Sequence, residues 1–306
     1  MTGTGAGESR TADLGGHVHY VDFGGNPAGP TVVLVHGLGG SHLNWDMLAP
    51  ELTSHARVVA LDLPGFGMSP PGQRPATVRR NVAVLTRFVR EVAGAPVVLV
   101  GNSMGGLICV LLTSREPHLV RGLVLLDPAL PAPSRILRSP RAAAALLLHA
   151  LPGVGERLRR GRRRRIGARA TVRETLHLCG VDAATLPAAL LGRYVALVEH
   201  QSDVAGIDRA FLSASRSLAW TLVRARRYRT AMTSVTVPVL LVHGAEDRLV
   251  PVVAARTTAR VHPAWRYVEL PGVGHLPQLQ VPRELAPLVL EWIGCLPDRD
   301  ELRPSG

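Results

Sequence analysis

The segment Val97-Val98-Leu99-Val100-Gly101-Asn102-Ser103-Met104-Gly105-Gly106 constrains this chain more than any other stretch. A β-branched apolar run ends in Gly-x-Ser-x-Gly, and a helix-like stretch from Leu107 to Arg115 follows at once. Strand, sharp turn and helix in that order hold a serine hydroxyl clear of the chain, where a neighbouring base can reach it. The residue types follow from sterics. Gly101 and Gly105 leave room where a Cβ would strike strand or helix. The helix that starts after Ser103 aims free backbone N–H groups toward the serine.

Three more segments supply partners. Pro238-Val239-Leu240-Leu241-Val242-His243-Gly244 reads as a second buried strand, followed by Ala245-Glu246-Asp247-Arg248. Trp265-Arg266-Tyr267-Val268-Glu269-Leu270 precedes Pro271-Gly272-Val273-Gly274-His275-Leu276. Thr31-Val32-Val33-Leu34-Val35 leads into His36-Gly37-Leu38-Gly39-Gly40. Serine, acid and histidine thus occur in that order along the chain, each after a strand, an order unlike that of chymotrypsin or subtilisin. With these residues in these places, the chain resembles the α/β-hydrolase fold family from about Gly16 to Ile293, nearly its whole length. Asp62-Leu63-Pro64-Gly65-Phe66-Gly67-Met68-Ser69-Pro70 is similar to another hallmark of that family. The resemblance implies an α/β fold with a mostly parallel central sheet flanked by helices, and a helical lid inserted after the sixth core strand.

The pattern between the motifs agrees. Candidate strands at His17–Phe23, Thr31–Val35, Arg57–Leu61, Val97–Val100, Gly122–Leu126, Val237–His243 and Trp265–Leu270 alternate with candidate helices at Trp45–Ser54, Thr77–Val92, Leu107–Arg115, Val252–Val261 and Arg283–Trp292. Alternation of this kind predicts a mostly parallel sheet covered on both faces. It breaks once, after Leu123-Val124-Leu125-Leu126-Asp127-Pro128, where about a hundred residues read as helices and loops. Residues 1–130 and 231–306 are therefore expected to form the core, and 131–230 the lid.

Charge sets the insertion apart. The chain has no lysine, and its 35 basic residues against 23 acidic ones give a formal net charge of +12. Between Pro131 and Thr230 stand 19 arginines and six acids, so the whole excess lies there and the remainder is close to balanced. Ala142 to Leu151 is almost continuously apolar, and the cluster Arg157, Arg159, Arg160, Arg162, Arg163, Arg164, Arg165 follows. An apolar helix beside arginines suits contact with an anionic membrane surface; a solvated basic loop is the plainer reading. Aromatic residues make up 4% of the chain, which leaves the lid few stacking side chains and argues against nucleic acid as a partner. The three cysteines, Cys109, Cys179 and Cys295, are far apart and show neither a disulfide framework nor metal spacing, which favours a cytoplasmic location. The first sixteen residues have no apolar core, so they are not read as a signal peptide, and both chain ends read as mobile.

Roles follow from position. Ser103 is the candidate nucleophile and His275, in a Gly-x-Gly-His turn after the last strand, the candidate base. Related hydrolases place the acid at the fifth position of His-Gly-x-x-Asp, which here is Asp247; Glu246 and Asp127 are its rivals, the latter at an acid site used by some family members. The backbone N–H groups of Leu38 and Met104 are expected to form the oxyanion hole, and Gly37, Asn102, Phe66 and Leu276 are candidates for the substrate pocket. His36 is expected to brace its loop, Asp62 to order its own turn, and His243 to be packed. No metal or organic cofactor is called for. The resemblance implies a serine hydrolase acting through an acyl-enzyme, with lipophilic carboxylic esters as the leading substrate class and a small-molecule or lipid ester as partner. Gly-Asn-Ser-Met-Gly-Gly is also similar to the elbow of C–C bond hydrolases of meta-cleavage products, although Leu276 stands where those carry Trp. A thioesterase is a near neighbour. A ligand receptor with little turnover is the alternative outside enzymology.

Overall fold

The central strands read as unbroken Val and Leu runs because both of their faces are covered. In the computed structural model, which describes residues 7–73, 75–131 and 154–297, the strands are β1 (Glu8–Asp13), β2 (His17–Gly25), β3 (Thr31–Val35), β4 (Arg57–Leu61), β5 (Val97–Asn102), β6 (Val120–Leu126), β7 (Val239–Gly244) and β8 (Arg266–Leu270). They form one sheet in the order β1-β2-β4-β3-β5-β6-β7-β8. Pairings from β4 through β8 are parallel, while β1–β2 and β2–β4 are antiparallel.

Strand alternation divides the core. Val33, Val35, Leu99, Leu123, Leu125 and Leu241 face one side, against the helices Val78–Phe88 and Met104–Thr113. Val32, Leu34, Val98, Val100, Val124, Leu240 and Val242 face the other, against Trp45, Leu48, Leu52 and the helix Pro282–Gly294. Adjacent residues of one strand thus serve opposite layers.

Two expectations change. Residues 8–13 form an edge strand rather than a mobile end, in register from Glu8↔Asp22 to Asp13↔His17. Its side chains are nearly all exposed, so backbone pairing holds it and no apolar pattern announces it. The expected helix over 45–54 is instead a 3₁₀ turn, His42–Trp45, and a short helix, Ala49–Leu52.

The helices Val154–Leu178, Ala188–Asp203, Ile207–Val223 and Ala225–Thr233 lie between β6 and β7. The first is broken at Gly167, whose φ of 78° departs from helix geometry. Val172, Leu176, Leu186, Leu190 and Leu197 form a third cluster with Leu43, Leu276 and Leu279 of the sheet domain. Ala210, Ala214, Tyr228 and Met232, however, join the first cluster beneath the sheet. The boundary expected at 230 also falls inside the helix Ala225–Thr233. The change in charge along the chain marks where arginines begin and end, not where packing does. The apolar stretch Ala142 to Leu151 lies outside the described residues. No helix among the described residues is long and apolar enough to cross a membrane.

Candidate active site

Ser103 sits between β5 and the helix Met104–Thr113 with φ 54° and ψ −119°, a conformation an L-residue keeps only when its surroundings enforce it. They do so on both sides. Ser103 N–H donates to Leu126 O at 3.1 Å, and Ser103 O accepts from Ala129 N–H at 2.9 Å and Leu107 N–H at 3.2 Å. A Cβ on Gly101 would lie 2.7 Å from Gly106 Cα, and one on Gly105 2.1 Å from Val35 O, so the elbow closes only with glycine at both positions. A Cβ on Gly37 would lie 2.9 Å from Ser103 Cβ, which places the loop after β3 directly against the serine.

His275 Nδ1 and Asp247 Oδ2 are 2.7 Å apart, both residues being buried. Asp247 Oδ1 accepts from Leu249 N–H at 2.7 Å and Val250 N–H at 2.9 Å. Burial pushes the Asp247 carboxyl up, but the hydrogen bond and charge of His275, with the two N–H groups, outweigh it and hold the group below its ordinary value. The histidine loop is tied down from the insertion: His275 N–H donates to Cys179 O at 2.8 Å, and Gln280 links Gly274 N–H to Gly180 O.

The loop after β3 has its own support. His36 Nε2 accepts from Leu63 N–H at 3.0 Å, so Nδ1 carries the proton and donates to Gly37 O at 2.7 Å. Burial lowers the His36 pKa, keeping the ring neutral in that role. Met104 is the first residue of its helix, where an N–H has no intrahelical acceptor. Neither its N–H nor that of Leu38 has a protein acceptor among the described residues.

The pocket candidates divide. Gly37 lies against Ser103. Asn102 does not line a pocket: it is 1% exposed, and its amide donates to Leu126 O and His275 O, each at 3.0 Å. Phe66 packs edge-on to His36 and near Phe211, and Leu276 joins the leucines of the insertion. Both are almost wholly covered because the inserted helices lie over them.

Asp62 orders its turn as expected, accepting from Met68 N–H at 2.8 Å and His42 N–H at 2.6 Å. No motif or spacing in the chain signals the rest of its environment. His19 Nδ1 at 2.8 Å and His42 Nδ1 at 2.9 Å converge on Oδ2, and Ser9 of β1 reaches His19 Nε2 at 2.7 Å. Among the described residues, His19, His42 and Asp62 are one of two buried groups whose ligand-type atoms lie within 4.8 Å of one another; Asp127, His243 and Asp247 are the other. In each, hydrogen bonds occupy the histidine nitrogens that face the carboxylates. His243, packed as expected, donates from Nε2 to Val250 O at 2.9 Å.

The arginine cluster is two-sided. Arg159 and Arg163, one turn apart, point inward to buried Asp208 at 3.4 and 3.0 Å, and the Arg159 guanidinium lies 3.5 Å from the Phe211 ring centroid. Phe211 in turn abuts Gly39 of the loop after β3. Arg157, Arg160, Arg162, Arg164 and Arg165 are exposed, Arg162 pairing with Glu174.

Comparison with known proteins agrees with this geometry. A model of the alpha/beta hydrolase fold matches residues 30–282. A pimeloyl-[acyl-carrier protein] methyl ester esterase of Aromatoleum aromaticum is 31% identical over 271 residues, covering 85% of this chain and 96% of the relative. A 2-hydroxy-6-oxo-2,4-heptadienoate hydrolase of Pseudomonas putida is 41% identical over 106 residues, 32% of this chain and 37% of the relative. Among solved structures, a membrane phospholipase A superposes with a TM-score of 0.71 at 25% identity, covering 99% of this chain and 88% of the other.

Proposed function

The chain belongs to the alpha/beta hydrolase fold family, and on that premise we propose that it is a serine hydrolase cleaving carboxylic esters of lipophilic acyl groups. The observation that carries this reading is the buried His275–Asp247 hydrogen bond of 2.7 Å, with His275 O tied at 3.0 Å to Asn102, the residue before a serine in a strained turn. His275 takes the Ser103 proton as Oγ attacks the acyl carbon. The developing oxyanion is received by Leu38 N–H and Met104 N–H, which are fixed in advance and pay no reorganisation cost. Protonated His275 then gives its proton to the leaving alkoxide. Water, deprotonated by the same imidazole, releases the acid from the acyl-enzyme. Asp247 keeps the Nδ1–H tautomer facing it throughout, so Nε2 is the nitrogen left for the serine.

In the same reading, residues 131–230 act as a lid over the core formed by 1–130 and 231–306, and its exposed arginines meet anionic surfaces. A methyl ester esterase and a phospholipase among the similar proteins favour esters. A panel of p-nitrophenyl esters of increasing chain length, assayed beside one acyl-CoA, tests it. Turnover that rises with chain length and vanishes in Ser103→Ala supports the proposal; turnover of the thioester alone redirects it. A second reading, C–C bond hydrolysis, is favoured by the 41% identity to the heptadienoate hydrolase. A ring-cleavage dienoate assayed in the same panel separates the two.

A further inference from the structure

Asp127 follows β6 with a φ of 45° and is fully buried, yet the reaction above gives its carboxyl no part. Oδ1 accepts from Gly244 N–H at 2.8 Å, and Oδ2 has no partner among the described donors. Beside it lie His243, whose Nε2 is 3.7 Å from Asp127 Oδ1 and 3.5 Å from Asp247 Oδ2, and the Asp247 carboxyl itself.

His243 cannot neutralise two carboxylates here. Its Nε2–H is spent on Val250 O, and Nδ1 has no partner among the described residues. A doubly protonated ring would therefore bury an N–H with nothing to accept it, a cost that burial does not repay. Asp247 is different. Its Oδ1 is filled by two N–H groups, while Oδ2 takes the His275 proton donor and keeps a lone pair. Two buried carboxyls with oxygens within 4.8 Å of one another are the arrangement in which one keeps its proton.

We infer that Asp127 is a neutral carboxylic acid whose Oδ2–H donates to the Asp247 carboxylate, a positioning residue that holds Asp247 toward His275 and limits the pair to one negative charge. Burial, and after it the charge of Asp247, raises the Asp127 carboxyl well above its ordinary value, while Asp247 is held below. The other titratable groups facing the pocket carry no compensating charge into it. Burial lowers His243 toward the neutral ring, and burial followed by the Asp247 charge pushes the Cys179 thiol up to about 12. Glu269, the remaining acid near His243, is matched by Arg256 and Tyr267. The inference rests on the reading of Asp247 and His275 as acid and base and adds a donor behind the acid.

Infrared difference spectra of the full chain against Asp127→Asn read the proton directly. The unsubstituted protein should show the carbonyl stretch of a buried carboxylic acid at neutral pH, and the variant should lack it. Asparagine preserves both contacts, Oδ1 for Gly244 N–H and Nδ2–H for Asp247. The acid limb of the kcat/KM profile should therefore stay within a few tenths of a pH unit. Asp127→Ala should lose about tenfold in kcat/KM, and Asp127→Asn should recover most of that loss. The inference is overturned if no such band disappears. It is also overturned if the acid limb of Asp127→Asn falls by about one unit or more, as removal of a negative charge within about 4–6 Å would make it do. The infrared reading needs no turnover, so it stands apart from the hydrolase reading, which an active Ser103→Ala protein would sink by itself.

Discussion

The side-chain amide of Asn102 donates to the main-chain carbonyl of His275 at 3.0 Å, and its second N–H reaches Leu126 O at the same distance. The residue before the serine thus fastens the histidine loop and the end of β6 to the elbow, 173 and 24 residues away along the chain. Registration of serine against histidine is a property of this strut as much as of the two strands. Asn102→Ala removes both donors, leaving the buried His275 carbonyl unpaired and Leu126 O with Ser103 N–H alone, which should destabilise the fold by about 1–3 kcal/mol and lower kcat by about 10- to 100-fold. Urea unfolding and ester kinetics on the same preparation check both. Unchanged kcat with reduced stability would make Asn102 a strut of the fold alone.

Ser103 and His275 should fail together. Ser103→Ala and His275→Ala are each expected to lower kcat on an activated ester by about 10⁴ to 10⁶, and the double variant to lose little more, because proton transfer and attack are one event. Additive losses would show that the two residues do not work as a unit.

Asp247→Asn should leave the fold intact and cost about 10⁴ in kcat. The amide nitrogen can face His275 Nδ1, which then accepts and leaves the proton on Nε2, the wrong tautomer for a base. A silent Asp247→Asn beside an inactive Asp127→Asn would move the acid to the end of β6.

Asp62 predicts a pH dependence of stability. Burial would raise its carboxyl, but hydrogen bonds from His19 and His42 hold it far below the ordinary carboxylate value. A depressed folded value means that the stabilisation is complete above the unfolded value, about 3.9, and is lost as pH falls toward the folded one. Asp62→Asn should therefore lower Tm most at neutral pH, and the gap to the unsubstituted protein should narrow below about pH 4. A gap that widens in acid would mean that the carboxylate is not what the two histidines stabilise.

The legibility of this site in sequence has a physical pattern. Ser103 and Asp247 each follow a strand whose Val and Leu run declares itself, and His275 follows the mixed strand Arg266–Leu270, so position along the chain singles them out as candidates. Local turn chemistry likewise gives Asp62 and His36 their places. Contacts that join distant segments leave no such trace. Asn102 reads as a pocket residue until His275 O is found against it. Glu8–Asp13 carries the polar side chains of an exposed edge, and only its register with β2 makes it a strand. The seven arginines are alike in composition. Asp208 and Phe211, more than 40 residues on, decide that Arg159 and Arg163 turn inward.

That division sharpens the test of membrane contact. Arg157, Arg160, Arg164 and Arg165 are exposed on the first piece of the helix Val154–Leu178, whereas Arg159 and Arg163 are committed to Asp208. Arginines close to an anionic surface each contribute about 1 kcal/mol, so four of them give measurable adsorption at low salt even with partial engagement. Binding to vesicles of anionic lipid, followed by co-sedimentation, should fall as salt shortens the screening length from about 10 Å at 0.1 M to about 3 Å at 1 M. Replacing the four exposed arginines with glutamine should abolish most of the binding while leaving Tm unchanged. Arg163→Gln should do the reverse: it removes the 3.0 Å contact to buried Asp208, so Tm should fall, by an amount of order 3 kcal/mol in stability because the carboxylate is left without its closest partner, while binding persists. Equal sedimentation with neutral vesicles, or none with anionic ones at low salt, would leave the exposed arginines as a solvated face of the helix.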